Sequence, residues 1–111
     1  MEIEMYKMNN LRLRFSIYDQ DDLPVDLSNA DIYFVVKTPT GKDRDVIKKE
    51  TEDINIIGED NNICEVEIMS EDTEDLTPKE YKYELLVVFA DGSRYTAVVD
   101  NFILKDVIIQ T

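Results

Sequence analysis

Apolar and polar residues alternate with a period of two along most of this chain. Leu11, Leu13, Phe15 and Ile17 share one face of an extended segment whose other face holds Arg12, Arg14, Ser16 and Tyr18. That is the pattern of a half-buried strand with its arginines turned to solvent. Ile3, Met5 and Met8 predict a shorter strand before it. Residues 31–37 repeat the pattern with Ile32, Phe34 and Val36, and residues 63–69 set Cys64, Val66 and Ile68 against Glu65, Glu67 and Met69. Val46 and Ile47 predict a short edge strand among lysines that discourage edge-to-edge pairing, and Ile54, Ile56 and Ile57 predict another that stops at Gly58. Residues 81–90 carry the strongest signal. Tyr81, Tyr83, Leu85, Val87 and Phe89 share a face, while Leu86, Val88 and Ala90 make the other face apolar too, as in a central strand or a subunit contact. Residues 94–99 and 102–109, parted by Asp100 and Asn101, predict the last two strands.

The intervening residues are turn formers. Residues 19–26 place three aspartates before Leu23-Pro24, and proline bars a central strand there. Residues 26–30 carry side chains that bond nearby backbone groups. Thr38-Pro39-Thr40-Gly41 and residues 59–62 read as turns, and Asp91-Gly92 as a hairpin tip. Residues 70–77 break the strand pattern. Ser70 predicts the cap of a short helical turn with Glu71, Asp72 and Glu74 near its positive end, Leu76 its one anchor in the core, and Pro78 ending it. About seven to nine short strands, with turns roughly every ten residues and one helical turn near 70–77, predict a single all-β antiparallel sandwich over residues 1–111.

Composition narrows the function classes. A chain of 111 residues with 43% hydrophobic content suits one folded domain. The net charge of −13 sets the surface against phosphate, which predicts no nucleic-acid binding and no attachment to an anionic membrane. The acidic surface favours solubility, or basic patches on a protein partner. Cys64 is the lone cysteine, so the fold does not depend on an oxidising compartment. The first eight residues alternate charged and apolar side chains, unlike a signal peptide. No apolar run reaches the roughly 18 residues of a membrane span. The expectation is a protein made and folded in a cytoplasm.

Candidate chemistry is sparse. The chain has no histidine, which removes Ser–His and Cys–His nucleophile pairs and most catalytic metal sites. Cys64 falls on an inward face and reads as a small core hydrophobe. Asp19-Gln20-Asp21-Asp22 opens like a calcium loop, but Pro24 stands where the loop needs glycine and Ala30 where it needs glutamate. Glu71, Asp72, Glu74 and Asp75 read as a solvated acidic turn, and Gly41-Lys42 lacks the setting of a phosphate loop. The expectation is no enzyme: no catalytic residue, no cofactor and no metal. Phe15, Phe34, Tyr81, Tyr83, Phe89 and Phe102 fall at core spacing, whereas Tyr18, Tyr33 and Tyr95 fall on outward positions. These three tyrosines are the candidate interface residues, since tyrosine is favoured in contacts.

The succession of pieces resembles a known family. Phe15-Ser16-Ile17-Tyr18-Asp19, Asp21, Pro24, Asp26-Leu27-Ser28-Asn29-Ala30, Ile32-Tyr33-Phe34-Val35-Val36 and Pro39-Thr40-Gly41 come first. Tyr81-Lys82-Tyr83-Glu84, Asp91-Gly92, Thr96 and Phe102-Ile103-Leu104 follow. In order and spacing they are similar to the N-terminal immunoglobulin-like domain of phage baseplate upper proteins and related prophage tail proteins. Two departures stand out. The family often has glycine where Lys79 stands, so the backbone there is expected to differ. Further domains often follow in the family, whereas this chain ends at Thr111, and a receptor-binding role is not carried over. The resemblance implies an immunoglobulin-like sandwich with a non-enzymatic structural role in the virion. It implies docking onto other tail or baseplate subunits, with homo-oligomers in the assembled particle. The alternatives are a capsid decoration or head-fibre base protein and, in another class, a carbohydrate-binding sandwich for cell-surface attachment. The absence of tryptophan weakens that last reading.

Overall fold

The computed structural model describes residues 1–39 and 44–109. Among them eight strands form: β1 (Ile3–Tyr6), β2 (Leu11–Ser16), β3 (Asp31–Lys37), β4 (Asp45–Lys49), β5 (Ile54–Ile57), β6 (Ile63–Ile68), β7 (Glu80–Val88) and β8 (Arg94–Lys105). They build a five-stranded sheet in the order β1-β8-β7-β3-β4 and a three-stranded sheet in the order β2-β6-β5. The inward positions predicted by alternation meet between the sheets. Phe15, Ile32, Phe34, Val36, Cys64, Val66, Ile68, Tyr81, Tyr83, Leu85, Val87 and Phe102 are all buried in one core.

This is an immunoglobulin-like sandwich. The second, fifth and sixth strands form one sheet, and the third, seventh and eighth form the heart of the other. At the start of β7, Tyr81 donates its hydroxyl to the Thr77 carbonyl at 2.6 Å, which is the tyrosine corner of that architecture. Tyr83 stands two residues later, where antibody domains place the second cysteine of their inter-sheet disulfide. Here the space is filled by three rings. Phe15 of β2, Phe34 of β3 and Tyr83 of β7 lie 5.6–6.5 Å apart between centroids, all tilted. Aromatic packing thus joins the two sheets with no covalent staple, and Cys64 remains a buried free thiol.

Several expectations are corrected. The pairing is antiparallel except at β1, which runs parallel to β8. The short link 7–10 carries the chain from the large sheet to the small one, so β1 does not pair with its sequence neighbour. Met8 lies outside β1, in the turn of that link, with φ +67°. The two predicted terminal strands are one strand, β8. Asp100 and Asn101 do not interrupt it, because both stay paired to β7, opposite Tyr83 and Lys82, while the Asp100 carboxylate meets the Met1 ammonium at 2.6 Å. β8 also stops at Lys105 rather than Ile109. Its neighbours give out there, since Tyr6 is the last partner on β1 and Glu80, opposite Ile103, the last on β7.

The helical turn is α1 (Ser70–Thr73). Its N-cap position is Met69, not Ser70, and the Asp72 carboxylate accepts the Met69 N–H at 2.8 Å. Its buried anchor is Thr73, whose hydroxyl accepts the Met8 N–H at 2.8 Å; Leu76 is half-buried. A 3-10 turn at Thr51–Asp53 was not foreseen in the polar stretch before β5. Lys79 needs no glycine, because positive φ among non-glycine residues occurs at Met8, Asp22 and Asn61. Of the turn predicted at 38–41, Thr40 and Gly41 lie outside the described residues.

Candidate functional site

The polar groups that first invite a catalytic reading are engaged structurally. Cys64 is fully buried, desolvation pushes its thiol up to about 11, and its Sγ faces the Phe15 carbonyl at 3.7 Å. Asp19 is a turn staple: its Oδ1 accepts the N–H groups of Asp21 and Leu23 at 2.8 and 3.0 Å. Asp26 and Asp91 accept the hydroxyl and backbone N–H of Ser28 and Ser93, which lowers both carboxyl pKa values. Among the described residues no group of three His, Cys, Asp or Glu side chains is placed to hold a metal ion.

Two surface features remain. The first is a cleft at the end of the sandwich where the β2–β3 loop meets the β7–β8 hairpin. Residues 17–25 fold back as a miniature hairpin, with Tyr18 bridged to Pro24, Asp19 N–H on the Leu23 carbonyl and Val25 N–H on the Ile17 carbonyl. Opposite it, the Phe89 N–H reaches the Ser93 carbonyl at 2.9 Å, and Gly92 turns the chain at φ +89°, which suits a residue without Cβ. Between these walls lies an open cleft of about 480 Å³ lined by Tyr18, Asp19, Gln20, Asp21, Val25, Phe89 and Tyr95.

Two of the three candidate tyrosines, Tyr18 and Tyr95, therefore share one site, with exposures of 50% and 41%. Tyr95 arrives there by an unforeseen route. Alternation back from Phe102 turns it to the outer face. The register of β7 and β8 shifts by one residue at Leu85/Leu86, so Tyr95 pairs with Val87 and takes the inner face at the open mouth of the sandwich. Phe89 and Val25 were not foreseen as site residues. Phe89 follows the core spacing of β7, and only its place beyond the last covered layer leaves it partly accessible.

The second feature is the outer face of the five-stranded sheet, where the third tyrosine lies. Tyr33 is half-buried and stands in register with Leu86 and Thr96, while Val35 aligns with Glu84 and Val99. The result is an apolar stripe of Tyr33, Val35 and Leu86, with Val99, 61% exposed, on the far side of Glu84. Lys37, Lys48, Lys82 and Arg94 flank it in two shallow depressions that Asp45 and Glu84 also line, with Lys37 3.7 Å from Asp45. The small sheet's outer face is different. Arg14 binds Glu65 at 2.7 Å, and Arg12 lies 3.8 and 3.6 Å from Glu65 and Glu67, a solvated ladder of ion pairs. The bond from Arg14 leads the effects that hold the Glu65 carboxyl below its ordinary value.

No protein-family model matches the chain, and no curated protein does. Among solved structures, the chain is similar to murine CRIg at 7% identity and a TM-score of 0.44, over 95% of this chain and 91% of that one.

Proposed function

We propose that this protein is a non-enzymatic assembly module, a structural part of a tailed-phage or prophage particle that works in the tail or baseplate by docking onto other subunits, copies of itself among them. The observation that carries the reading is the asymmetry between the two outer faces. One is laced with ion pairs suited to water, and the other presents Tyr33, Val35, Leu86 and Val99 as apolar positions grouped around Glu84. Such a grouping rimmed by polar residues is the anatomy of a protein contact. Lys37, Lys48, Lys82 and Arg94 flank it beside Asp45 and Glu84, which offsets locally the net charge of −13 where two copies would meet. The absence of histidine and the structural engagement of Cys64, Asp19, Asp26 and Asp91 favour docking over turnover. The resemblance to the baseplate family supplies the virion setting.

The test is quantitative mass spectrometry of tail particles purified from the source organism. The chain is expected in the particle fraction at a fixed ratio to other tail subunits. Its recovery only in the particle-free supernatant would overturn the proposal.

A further inference from the structure

We infer that the cleft between residues 17–25 and the 89–95 hairpin receives a cationic side chain, an arginine or lysine presented by a protein partner. The walls are aromatic and apolar: Tyr18, Val25, Phe89 and Tyr95. The rim is anionic. Asp19 and Asp21 line the cleft itself, Asp22 stands beside them in the same loop, and Asp26 and Asp91 line a separate depression. Residues 17–30 contain no lysine or arginine, and Arg94 of the hairpin lines the depression on the outer face of the large sheet instead.

An arginine side chain matches both halves of this surface. Its apolar stem and flat guanidinium lie against ring faces, and its charge meets carboxylates at the rim. A purely apolar anchor would fill the walls but strip water from the aspartates without return. An anionic group would be repelled by the Asp19 and Asp21 carboxylates on the rim. Both walls are held in place before any ligand arrives. The Tyr18–Pro24 bridge and the Asp19 staple order one loop, and the Asp91–Ser93 bonds order the other. Little loop freedom is therefore lost on binding. The cleft lies at an end of the sandwich and the apolar stripe on the outer face of one sheet, so this inference does not depend on the docking reading of that stripe.

The experiment is an amide NMR titration of the intact chain with acetyl-Gly-Arg-Gly-amide. The matched control has citrulline in place of arginine, which keeps the shape and removes the charge. Saturable shifts confined to residues 18–25 and 89–95 are expected, with the arginine peptide at least about fivefold tighter than the citrulline one. Raising the salt should weaken it further. Y18A and Y95A alter exposed side chains, so their spectra should stay dispersed while each weakens binding at least about threefold. D21N should reduce affinity without moving the fold. Equal binding of both peptides would overturn the inference. So would shifts spread over the acidic surface and indifferent to Y18A and Y95A. A parallel titration with neutral cell-wall oligosaccharide that shifts the same amides, while the arginine peptide does not, would assign the cleft to a glycan and overturn it too.

Discussion

Replacing Phe34 with alanine tests the claim that a three-ring cluster joins the two sheets. Phe34 has no solvent exposure, and its ring lies 6.1 Å from Phe15 across the sandwich and 5.6 Å from Tyr83 on the neighbouring strand. Removing a buried phenylalanine side chain costs about 3–5 kcal/mol, the transfer loss together with the cavity left behind. Each tilted ring pair adds about 0.5–1.5 kcal/mol beyond its area, so the upper half of that range is expected. For a chain of 111 residues the entropy of unfolding is roughly 0.23 kcal/mol/K, so a loss of about 4 kcal/mol lowers Tm by roughly 17 °C. That is a large share of the roughly 5–15 kcal/mol a domain of this kind holds in reserve. Urea and thermal unfolding followed by circular dichroism would measure it, with the urea slope unchanged if the folded state is retained. Phe34→Leu keeps most of the volume but removes both ring pairs, and should cost about 1–3 kcal/mol, less than alanine. A loss below about 1 kcal/mol for Phe34→Ala, or below about 0.5 kcal/mol for Phe34→Leu, would mean the rings do not bear on one another as described.

Four further outcomes follow from particular residues. Tyr81→Phe removes the hydroxyl bonded to Thr77 and should lower stability by about 1–2 kcal/mol in the same melts; a change under about 0.5 kcal/mol would deny the corner a structural role. Cys64 should resist a thiol reagent such as dithionitrobenzoate in the native protein and react at the rate of unfolding, because it is buried and its thiol is pushed up to about 11; fast native labelling would place it at the surface. The folded-state pKa of Glu65 is depressed, so its contribution is complete above the unfolded value of about 4.3 and drains away as pH falls through the folded value. Glu65→Gln should therefore flatten the acid limb of the Tm–pH curve below about pH 4.5, and an unchanged limb would show that the Arg14 contact contributes nothing. Val99→Glu sets a second carboxylate beside Glu84 on the outer face of the large sheet. It should leave the melt within about 0.5 kcal/mol of the parent while abolishing any concentration-dependent mass seen by light scattering; an unaltered association would move the contact elsewhere.

The alternation of side chains was enough to determine the class of this protein. Period two at Ile32, Phe34 and Val36, at Cys64, Val66 and Ile68, and at Tyr81, Tyr83, Leu85 and Val87 is a local property of a pleated strand with one face covered. These residues are buried where the pattern put them. The turns at Pro24, Gly58 and Asp91-Gly92 are equally local, because φ restrictions act on single residues. What alternation cannot carry is register, pairing partner or the depth of a strand end. One shifted residue between β7 and β8 turned Tyr95 to the inner face and set it across the cleft from Tyr18, although alternation along β8 alone points it outward. The single span of β8 across Asp100 rested on pairing with Tyr83 and Lys82 of β7, which the polar residues themselves do not announce. The accessibility of Phe89 depended on where the opposing sheet ends, which no residue near it in the chain encodes. Fold class came from local periodicity, and the candidate site came from contacts between segments far apart in the chain, which only the packed sandwich brings together.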